Sequence, residues 1–312
     1  MELIPSHAGP KPRVAVLVGA TAVGKTTVAL ALAPSLGAEI VNADSLQVYR
    51  ELDIGTAKPT EAERALVPHH LIDVADPPES YDAARFCREG RAVLDDLARR
   101  GVPPLVVGGT GLYLKALLGG LFAQGEAPPG VRQRVRQELA SLGLPVLYAR
   151  LIHLDPATAS RLHPHDTYRI VRALEVMAAT GKPLSQFIAA HRFQDAPYAV
   201  LKLGLLLDRE ELYRRIELRV ELMLEAGWLD EIEGLLRRYP LDLKPLQALG
   251  YRHLINYLTG RWGWEEALTL LTRDTRRYAK RQLTWFGSDP EIRWFNPDQA
   301  EEMAGVLGEF FG

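Results

Sequence analysis

The segment from Gly19 to Thr26, "GATAVGKT", matches the phosphate-binding pattern G-x-x-x-x-G-K-[ST] at every position. The apolar run "VAVLV" precedes it and an alanine- and leucine-rich stretch follows it, which predicts a strand, a loop and a helix in that order. Backbone N–H groups from Ala20 to Thr26 could then surround phosphate oxygens at the positive end of the helix. Lys25 would neutralise the terminal phosphate, and the Thr26 hydroxyl would face a magnesium ion.

The usual companions of this loop in nucleotide-hydrolysing proteins are missing. The strand "PLVVGG" ends in glycine where a magnesium-holding aspartate is expected, and the chain has no Asn-Lys-x-Asp guanine motif. Asp73, in "LIDVADP", follows an apolar run that is too short to replace that strand. A GTPase is therefore disfavoured, and the sequence pattern leaves the bound phosphate compound open.

Two polar residues follow other predicted strands. Asp44 ends the strand that comes after the phosphate-loop helix, so in a parallel sheet it lies at the carboxyl edge beside the loop. There it could accept a proton from an attacking group, or it could cap the turn that begins at Ser45, and its position favours neither role. Thr110 is the only side-chain hydroxyl of a second glycine loop, "GGTG", which is either an anion site or a tight strand-to-helix turn.

Strands that alternate with helices predict an α/β fold, a P-loop NTPase-like parallel sheet with helices on both faces. Residues 11–121 and 199–312 are expected to form this core with its C-terminal helices, and residues 122–198 a smaller all-helical insertion domain. Within the insertion, "PVLYARLIHL" is ambiguous between strand and helix. Asp208 and Glu211 predict a capping box, and the chain after that point is expected to be helical.

Composition limits the class of protein. The 312 residues include 37 basic and 39 acidic ones, so any nucleic-acid site must be a local patch. Cys87 is the only cysteine, which excludes an internal disulfide and a multi-cysteine zinc finger. There is no signal-peptide core and no apolar run near the roughly 20 residues that span a bilayer. We expect a cytoplasmic protein without a membrane partner that works as a monomer.

Two groups of basic residues could form local patches. The first recurs at helical spacing in a stretch with few acidic residues, where it either binds a phosphate backbone or simply faces solvent. It comprises Arg273, Arg276, Arg277, Lys280 and Arg281. The second lies in the predicted insertion and comprises Arg161, His163, His165, Arg169 and Arg172. The two histidines lack further metal-ligating neighbours, which argues against zinc. Together the groups indicate a large anionic substrate.

Seven segments resemble, in order, the signature blocks of the bacterial tRNA dimethylallyltransferases, also called tRNA isopentenyltransferases. They are "GATAVGKT", "VNADSLQVYRELDIGTAKP", "HHLIDVADP", "VVGGTGLYLKAL", "RIVRALEV", "ALGYR" and "RRYAKRQLTWF". The resemblance covers nearly the whole chain beyond its first dozen residues. It implies that a dimethylallyl group passes from dimethylallyl diphosphate to the exocyclic N6 amine of the adenosine 3′ to a tRNA anticodon, with release of diphosphate.

The resemblance also implies roles for individual residues. The loop would hold the diphosphate through Gly19, Ala20, Thr21, Ala22, Val23, Gly24, Lys25 and Thr26. Asp44 would orient and deprotonate the amine, and Thr110 would lie at the reacting centre, with Lys25 as the third catalytic residue. The implied contacts with the tRNA anticodon stem-loop are Asp44, Ser45, Leu46, Gln47, Thr110, Arg132, Tyr168, Arg169, Ile170, Val171, Arg172, Gly250, Tyr251 and Arg252.

Further contacts are predicted from the residues themselves. The basic stretch adds Arg276, Arg277, Lys280 and Arg281 to the predicted tRNA surface. Arg219 is a candidate for another diphosphate contact, with a surface ion pair to Glu221 or Glu225 as the alternative.

Two other functions fit part of the pattern. A P-loop kinase of a small metabolite would use the same strand, loop and aspartate, but it leaves both basic groups unexplained. A non-catalytic RNA-binding protein is disfavoured because Lys25, Thr26 and Asp44 are all present.

Overall fold

The structure is a computed structural model that describes residues 10–120, 127–191 and 196–312. It divides the chain into two compact units. The larger unit comprises the described parts of Met1–Leu118 and Pro197–Gly312, and the smaller one the described parts of Gly119–Ala196.

A parallel sheet forms the centre of the larger unit. Its strands are β1 (Arg13–Gly19), β2 (Glu39–Asn42), β3 (His69–His70), β4 (Pro104–Gly108), β5 (Ala199–Leu205) and β6 (Ile292–Phe295). They lie in the order β3-β2-β4-β1-β5-β6, and every pairing is parallel. Val18 of β1 pairs with Gly108 of β4, and Gly19 pairs with Leu205 of β5. This register brings the phosphate loop and the second glycine loop to the same edge of the sheet.

Helices cover both faces of this sheet. They are α1 (Lys25–Leu36), α2 (Glu61–Leu66), α3 (Ala83–Arg100), α4 (Gly111–Gly119), α10 (Arg209–Glu225), α11 (Trp228–Leu236), α12 (Tyr251–Leu258), α13 (Trp264–Gly287) and α14 (Ala300–Phe311), with short 3₁₀ helices at Ile54–Thr56 and Lys244–Gln247. Alternate residues of β1 face two different hydrophobic clusters, Val16 one and Leu17 the other. A strand that is buried on both faces explains the continuous apolar run in the sequence.

The smaller unit is helical where it is described. Its helices are α5 (Pro129–Leu142), α6 (Leu144–Leu154), α7 (Pro156–Ala159), α8 (Thr167–Thr180) and α9 (Leu184–His191). The ambiguous stretch "PVLYARLIHL" belongs to α6, whose Leu147 and Leu151 are fully buried. Their spacing of four residues places both on one helix face. Asp155 caps α7 by accepting a hydrogen bond from the Thr158 N–H at 3.0 Å.

Two expectations about the C-terminal region were wrong. The chain after Asp208 is not entirely helical, because Ile292–Phe295 adds strand β6 at the sheet edge beside β5. Four residues are too few to show the alternation that identifies a strand from sequence. Asp208 does precede α10, but its side chain accepts no capping hydrogen bond, and Glu211 binds Arg214 and Arg215 instead.

Candidate active site

The phosphate loop connects β1 to α1 in a strained conformation. Gly24 has a φ of 102° and Ala22 a φ of 64°. The conformation of Gly24 favours glycine, whereas the left-handed conformation of Ala22 costs about 1 kcal/mol. Strain of this kind persists where the surrounding structure holds the backbone in place, as it often does at binding sites.

Lys25 folds back over the loop. Its ammonium group donates hydrogen bonds to the carbonyl oxygens of Gly19 at 3.0 Å and Ala20 at 2.8 Å. An ammonium group has three N–H donors, so one is left for a ligand. Burial, together with the Arg219 cation, lowers the pKa of Lys25 to about 8, although the Asp44 carboxylate acts in the opposite direction.

The two carboxylate oxygens of Asp44 have different surroundings. Oδ1 accepts hydrogen bonds from the backbone N–H groups of Leu46 at 2.8 Å and Gln47 at 3.3 Å, so Asp44 does cap the turn. None of the described residues donates a hydrogen bond to Oδ2. The capping role and the proton-accepting role are therefore compatible within one side chain.

Thr110 connects this turn to the second glycine loop. Its Oγ1 accepts a hydrogen bond from the Ser45 N–H at 3.1 Å. Gly108 lies so close to Ala43 that a Cβ atom there would be 2.2 Å from the Ala43 carbonyl oxygen, which explains the glycine. Asp44 and Thr110, separate in sequence, are thus held together.

A cavity of about 250 Å³ opens beside these residues. Its polar lining includes Thr21, Asp44, Arg219 and Tyr278, and its apolar lining includes Ile216, Val220, Met223 and Leu271. Polar and apolar walls together suit a ligand with an anionic end and a hydrocarbon end.

Arg219 and Tyr278 line this cavity and interact electrostatically with Asp44. Within the described chain Arg219 forms no ion pair with Glu221 or Glu225, so the surface-pair alternative is not found. Burial lowers the pKa of the Arg219 guanidinium, while Asp44 and Tyr278 act in the opposite direction. Burial and the nearby Asp44 carboxylate raise the pKa of the Tyr278 hydroxyl, which therefore stays protonated at neutral pH.

Comparison with known proteins identifies the family. The family model described as IPP transferase matches residues 47–289, and a second, isopentenyl transferase, matches residues 12–68. The chain belongs to the IPP transferase family. It is 53% identical to the tRNA dimethylallyltransferase of Syntrophobacter fumaroxidans over 91% of this chain and 83% of that protein. It is 47% identical to that of Geobacter sulfurreducens over 98% of this chain and 99% of that protein.

Solved structures of the family share the fold. The tRNA isopentenylpyrophosphate transferase of Bacillus halodurans is 37% identical, with a TM-score of 0.73, over 96% of this chain and 97% of that one. A eukaryotic dimethylallyltransferase acting on tRNA is 30% identical, with a TM-score of 0.77, over 92% of this chain and 74% of that one. The P-loop NTPase-like parallel sheet predicted from the sequence is confirmed.

Tyr251, a residue of the larger unit that was predicted to contact tRNA, lies in the hydrophobic core. The Tyr251 side chain is fully buried, and its hydroxyl donates a hydrogen bond to Glu231 at 2.7 Å, so this side chain does not reach the surface, and its contact with tRNA stays a prediction. The Glu231 carboxylate also accepts hydrogen bonds from the backbone N–H groups of Asp53, Ile54 and Gly55. Gly250 lines the cavity, and Arg252 lies on the surface, paired with Asp274 at 3.1 Å.

Of the three residues after Asp44, two line the cavity and one makes hydrogen bonds to the backbone of a neighbouring loop. Ser45 and Leu46 line the cavity. Gln47 donates both of its Nε2 hydrogen bonds to the carbonyl oxygens of Thr56 and Ala57, at 3.0 and 3.1 Å. Gln47 therefore closes the loop that follows the Asp44 turn.

The basic residues of α13 fall into two classes. Arg277, Lys280 and Arg281 are exposed. Arg276, in contrast, pairs with Glu217 of α10 and lies over the Tyr213 ring, so it joins two helices instead of adding to the exposed basic face. Asp274, an acidic residue on the same helix, pairs with Arg273 and Arg277.

The smaller unit presents some of its predicted contacts and buries another. Tyr168 is 80% exposed, and Arg169 is exposed beside Asp166, which it contacts at 2.9 Å. Ile170 is fully buried in the core of this unit together with Ala173 and Leu174, so its side chain is not on the surface, and its contact with tRNA stays a prediction. Spacings of three and four residues place these three on the inward face of α8. Arg132, Val171 and Arg172 are partly exposed, and Arg172 lies 3.6 Å from Glu175.

Two buried polar residues that join loops of the larger unit were not singled out from the sequence. Lys58 is buried, and its ammonium group donates hydrogen bonds to Asp73 at 2.6 Å, Asp53 at 2.5 Å and the Tyr49 carbonyl at 2.7 Å. Gln282 is buried on α13 and joins the two glycine loops. Both lie in segments that carry the family resemblance, and Lys58 is a polar side chain between Ala57 and Pro59.

Proposed function

We propose that this protein is a tRNA dimethylallyltransferase. It transfers the dimethylallyl group of dimethylallyl diphosphate to the N6 amine of the adenosine 3′-adjacent to the tRNA anticodon and releases diphosphate. The observation that carries the proposal is the cavity in which the phosphate loop meets the unbonded Oδ2 of Asp44. The names of the relatives, which are about 50% identical, support the same reaction.

Some residues of the site act on the leaving group of the reaction, and others act on the nucleophile. The bond from the allylic carbon to the bridging diphosphate oxygen breaks, and the adenine nitrogen bonds to that carbon. Lys25 and Arg219 stabilise the negative charge that develops on the departing diphosphate. Oδ2 of Asp44 takes the proton that the amine loses, while Oδ1 holds the side chain in place. The target base must leave its stack to reach the cavity.

The phosphate loop also suits Mg²⁺. No cluster of three or more histidine, cysteine, aspartate or glutamate side chains that could hold a metal occurs in the described ranges. Mg²⁺ does not need one, because it keeps several waters and binds through one or two protein ligands together with substrate phosphates. The Thr26 hydroxyl makes no hydrogen bond to any described residue, so it is available as that ligand. Bound Mg²⁺ would supply further neutralisation of the diphosphate charge.

The tRNA anticodon stem-loop is proposed to contact both units. In the larger unit it meets the Asp44 turn and the exposed basic residues of α13, and in the smaller unit the exposed start of α8. We expect the protein to act as a cytoplasmic monomer. Among the described helices, none has the length and apolarity needed to cross a membrane.

A labelling experiment tests the proposal. The purified protein is incubated with radiolabelled dimethylallyl diphosphate and an anticodon stem-loop, in parallel with labelled ATP. The matched control is a stem-loop in which guanosine replaces the adenosine 3′ to the anticodon. Label should appear only on the adenosine-containing RNA and only from dimethylallyl diphosphate. Label from ATP, or equal labelling of the guanosine control, contradicts the proposal.

A further inference from the structure

Gln282 connects the two glycine loops through one side-chain amide. Its Oε1 accepts a hydrogen bond from the backbone N–H of Thr21 at 2.8 Å, and its Nε2 donates one to the Gly109 carbonyl oxygen at 3.0 Å. Thr21 is 261 residues and Gly109 173 residues away in sequence. The side chain is 6% exposed, so both hydrogen bonds are shielded from water.

The space around this amide is shaped for it. A Cβ atom at Gly109 would lie 2.3 Å from Nε2 of Gln282, so only glycine lets the amide approach the loop. The neighbours also fix the orientation of the amide, because Thr21 presents a donor and Gly109 an acceptor. Among side chains of this length, only glutamine offers a donor and an acceptor together while staying uncharged.

Of the two loops that Gln282 joins, one is proposed to hold the leaving group, and the other holds the turn that contains the proposed proton acceptor. Thr21 belongs to the phosphate loop, and its N–H is used by Gln282, so this N–H does not face a phosphate as the sequence predicted. Gly109 precedes Thr110, which holds the Ser45 N–H and hence the turn capped by Asp44. The amide therefore links the position of the leaving group to the position of the proton acceptor.

We propose that Gln282 is a positioning residue for dimethylallyl transfer, which sets the separation between the phosphate loop and the Asp44 turn. This inference rests on the proposed function. Transfer depends on close alignment of the reacting atoms, and a displacement of about 1 Å can cost roughly 100-fold in rate. Loss of the amide should therefore slow the chemical step more than it weakens the binding of either substrate.

The first test replaces Gln282 by methionine, which has a similar length and makes neither hydrogen bond. Single-turnover transfer with both substrates saturating should fall about 10- to 100-fold, while the Kd values for dimethylallyl diphosphate and tRNA change less than about threefold. Thr284→Ala, an exposed change on the same helix, is the control and should match the parent. A folded Gln282→Met enzyme with a rate within about twofold of the parent overturns the proposal.

The second test uses Gln282→Glu. A neutral carboxylic acid reproduces the donor and acceptor of the amide, whereas a carboxylate presents only acceptors and repels the Gly109 carbonyl. The rate of Gln282→Glu relative to the parent should therefore rise as the pH is lowered from about 8 to 5.5, while the ratio for Gln282→Met stays flat. The charged and titratable groups of the surrounding site, Lys25, Asp44, Arg219 and Tyr278, are also present in Gln282→Met, so the ratio for that variant is the control for them.

The outcomes separate the two proposals. A Gln282→Glu ratio that does not change with pH contradicts the positioning role. Failure of the parent itself to modify the stem-loop contradicts the proposed function instead.

Discussion

Asp44 shows how one side chain can serve both fold and chemistry. Its Oδ1 is occupied by two backbone N–H groups, whereas its Oδ2 accepts no hydrogen bond from the described residues. An amide in place of the carboxylate can keep the first function and cannot perform the second.

We predict that Asp44→Asn slows single-turnover transfer by about 10²- to 10⁴-fold, because an amide does not accept the amine proton. The melting temperature should change little, since the amide oxygen can still cap the turn. Asp208→Asn is a matched control, because the Asp208 side chain makes no capping hydrogen bond. An Asp44→Asn rate within a few-fold of the parent would leave Asp44 as a cap alone.

The lowered pKa of Lys25 predicts that diphosphate binding depends on pH. Its pKa is lowered from 10.5 to about 8, so the ammonium is charged below pH 8 and loses its charge above it. The affinity for inorganic diphosphate, measured by calorimetry, should therefore be highest below pH 8 and should weaken as the pH rises through 8. Lys25→Ala should bind weakly with no decline centred at pH 8, and its tRNA affinity should stay close to that of the parent. Parent affinity that is constant from pH 7 to 9.5 would contradict this assignment.

At the scale of elements, α13 contributes to the site from two sides. Tyr278 and Gln282 lie against the cavity and the glycine loops, while Arg277, Lys280 and Arg281 are exposed. Arg276 is set apart from the exposed residues by its pairing with Glu217. A test of RNA binding should therefore change the exposed residues and leave Arg276 in place.

We predict that Arg277→Glu combined with Lys280→Glu weakens tRNA binding. The logarithm of the association constant should also fall less steeply with the logarithm of the salt concentration, with a slope smaller in magnitude by about 2, since fewer counterions are released. Arg99→Glu with Arg237→Glu is the matched control, because both arginines are exposed, at 74% and 75%, on other helices. Binding is measured at several salt concentrations. Equal slopes for the two double variants would mean that this face of α13 does not contact RNA.

At the scale of the whole molecule, the smaller unit has a hydrophobic core of its own. Val135, Leu147, Leu151, Ile170 and Leu174 are buried together, and none of them belongs to the clusters that cover the sheet. The larger unit contains the phosphate loop, Asp44, Thr110 and the whole cavity lining. The two units should therefore be separable in function.

We predict that replacing Gly119–Ala196 by a short glycine-serine linker leaves the larger unit folded and able to bind dimethylallyl diphosphate, while tRNA affinity falls at least tenfold. A cooperative melting transition and diphosphate calorimetry report on the larger unit, and filter binding reports on tRNA. The full-length chain with Tyr168→Ala and Arg169→Ala tests the same surface without deletion. Unchanged tRNA affinity in both proteins would contradict a role for the smaller unit.

The local parts of the active site were determined by the sequence itself. The phosphate loop, the strand before it and the glycine loop around Thr110 depend on hydrophobic period and on glycine conformation within a few residues. The residues that interact in these parts are close together in sequence, so a stretch of about ten residues is enough to predict them. The parallel order of the strands then places both loops and Asp44 at one edge of the sheet.

Only the tertiary structure decided how residues far apart in sequence are used. Gln282 reaches Thr21 across 261 residues, and Arg276 meets Glu217 across 59. Tyr251 and Ile170 lie in segments that resemble tRNA-binding motifs, yet both side chains pack inward. Helical spacing shows which residues share a face, but the direction of that face depends on the elements that pack against it. That packing is a property of the whole chain, and no single segment contains it.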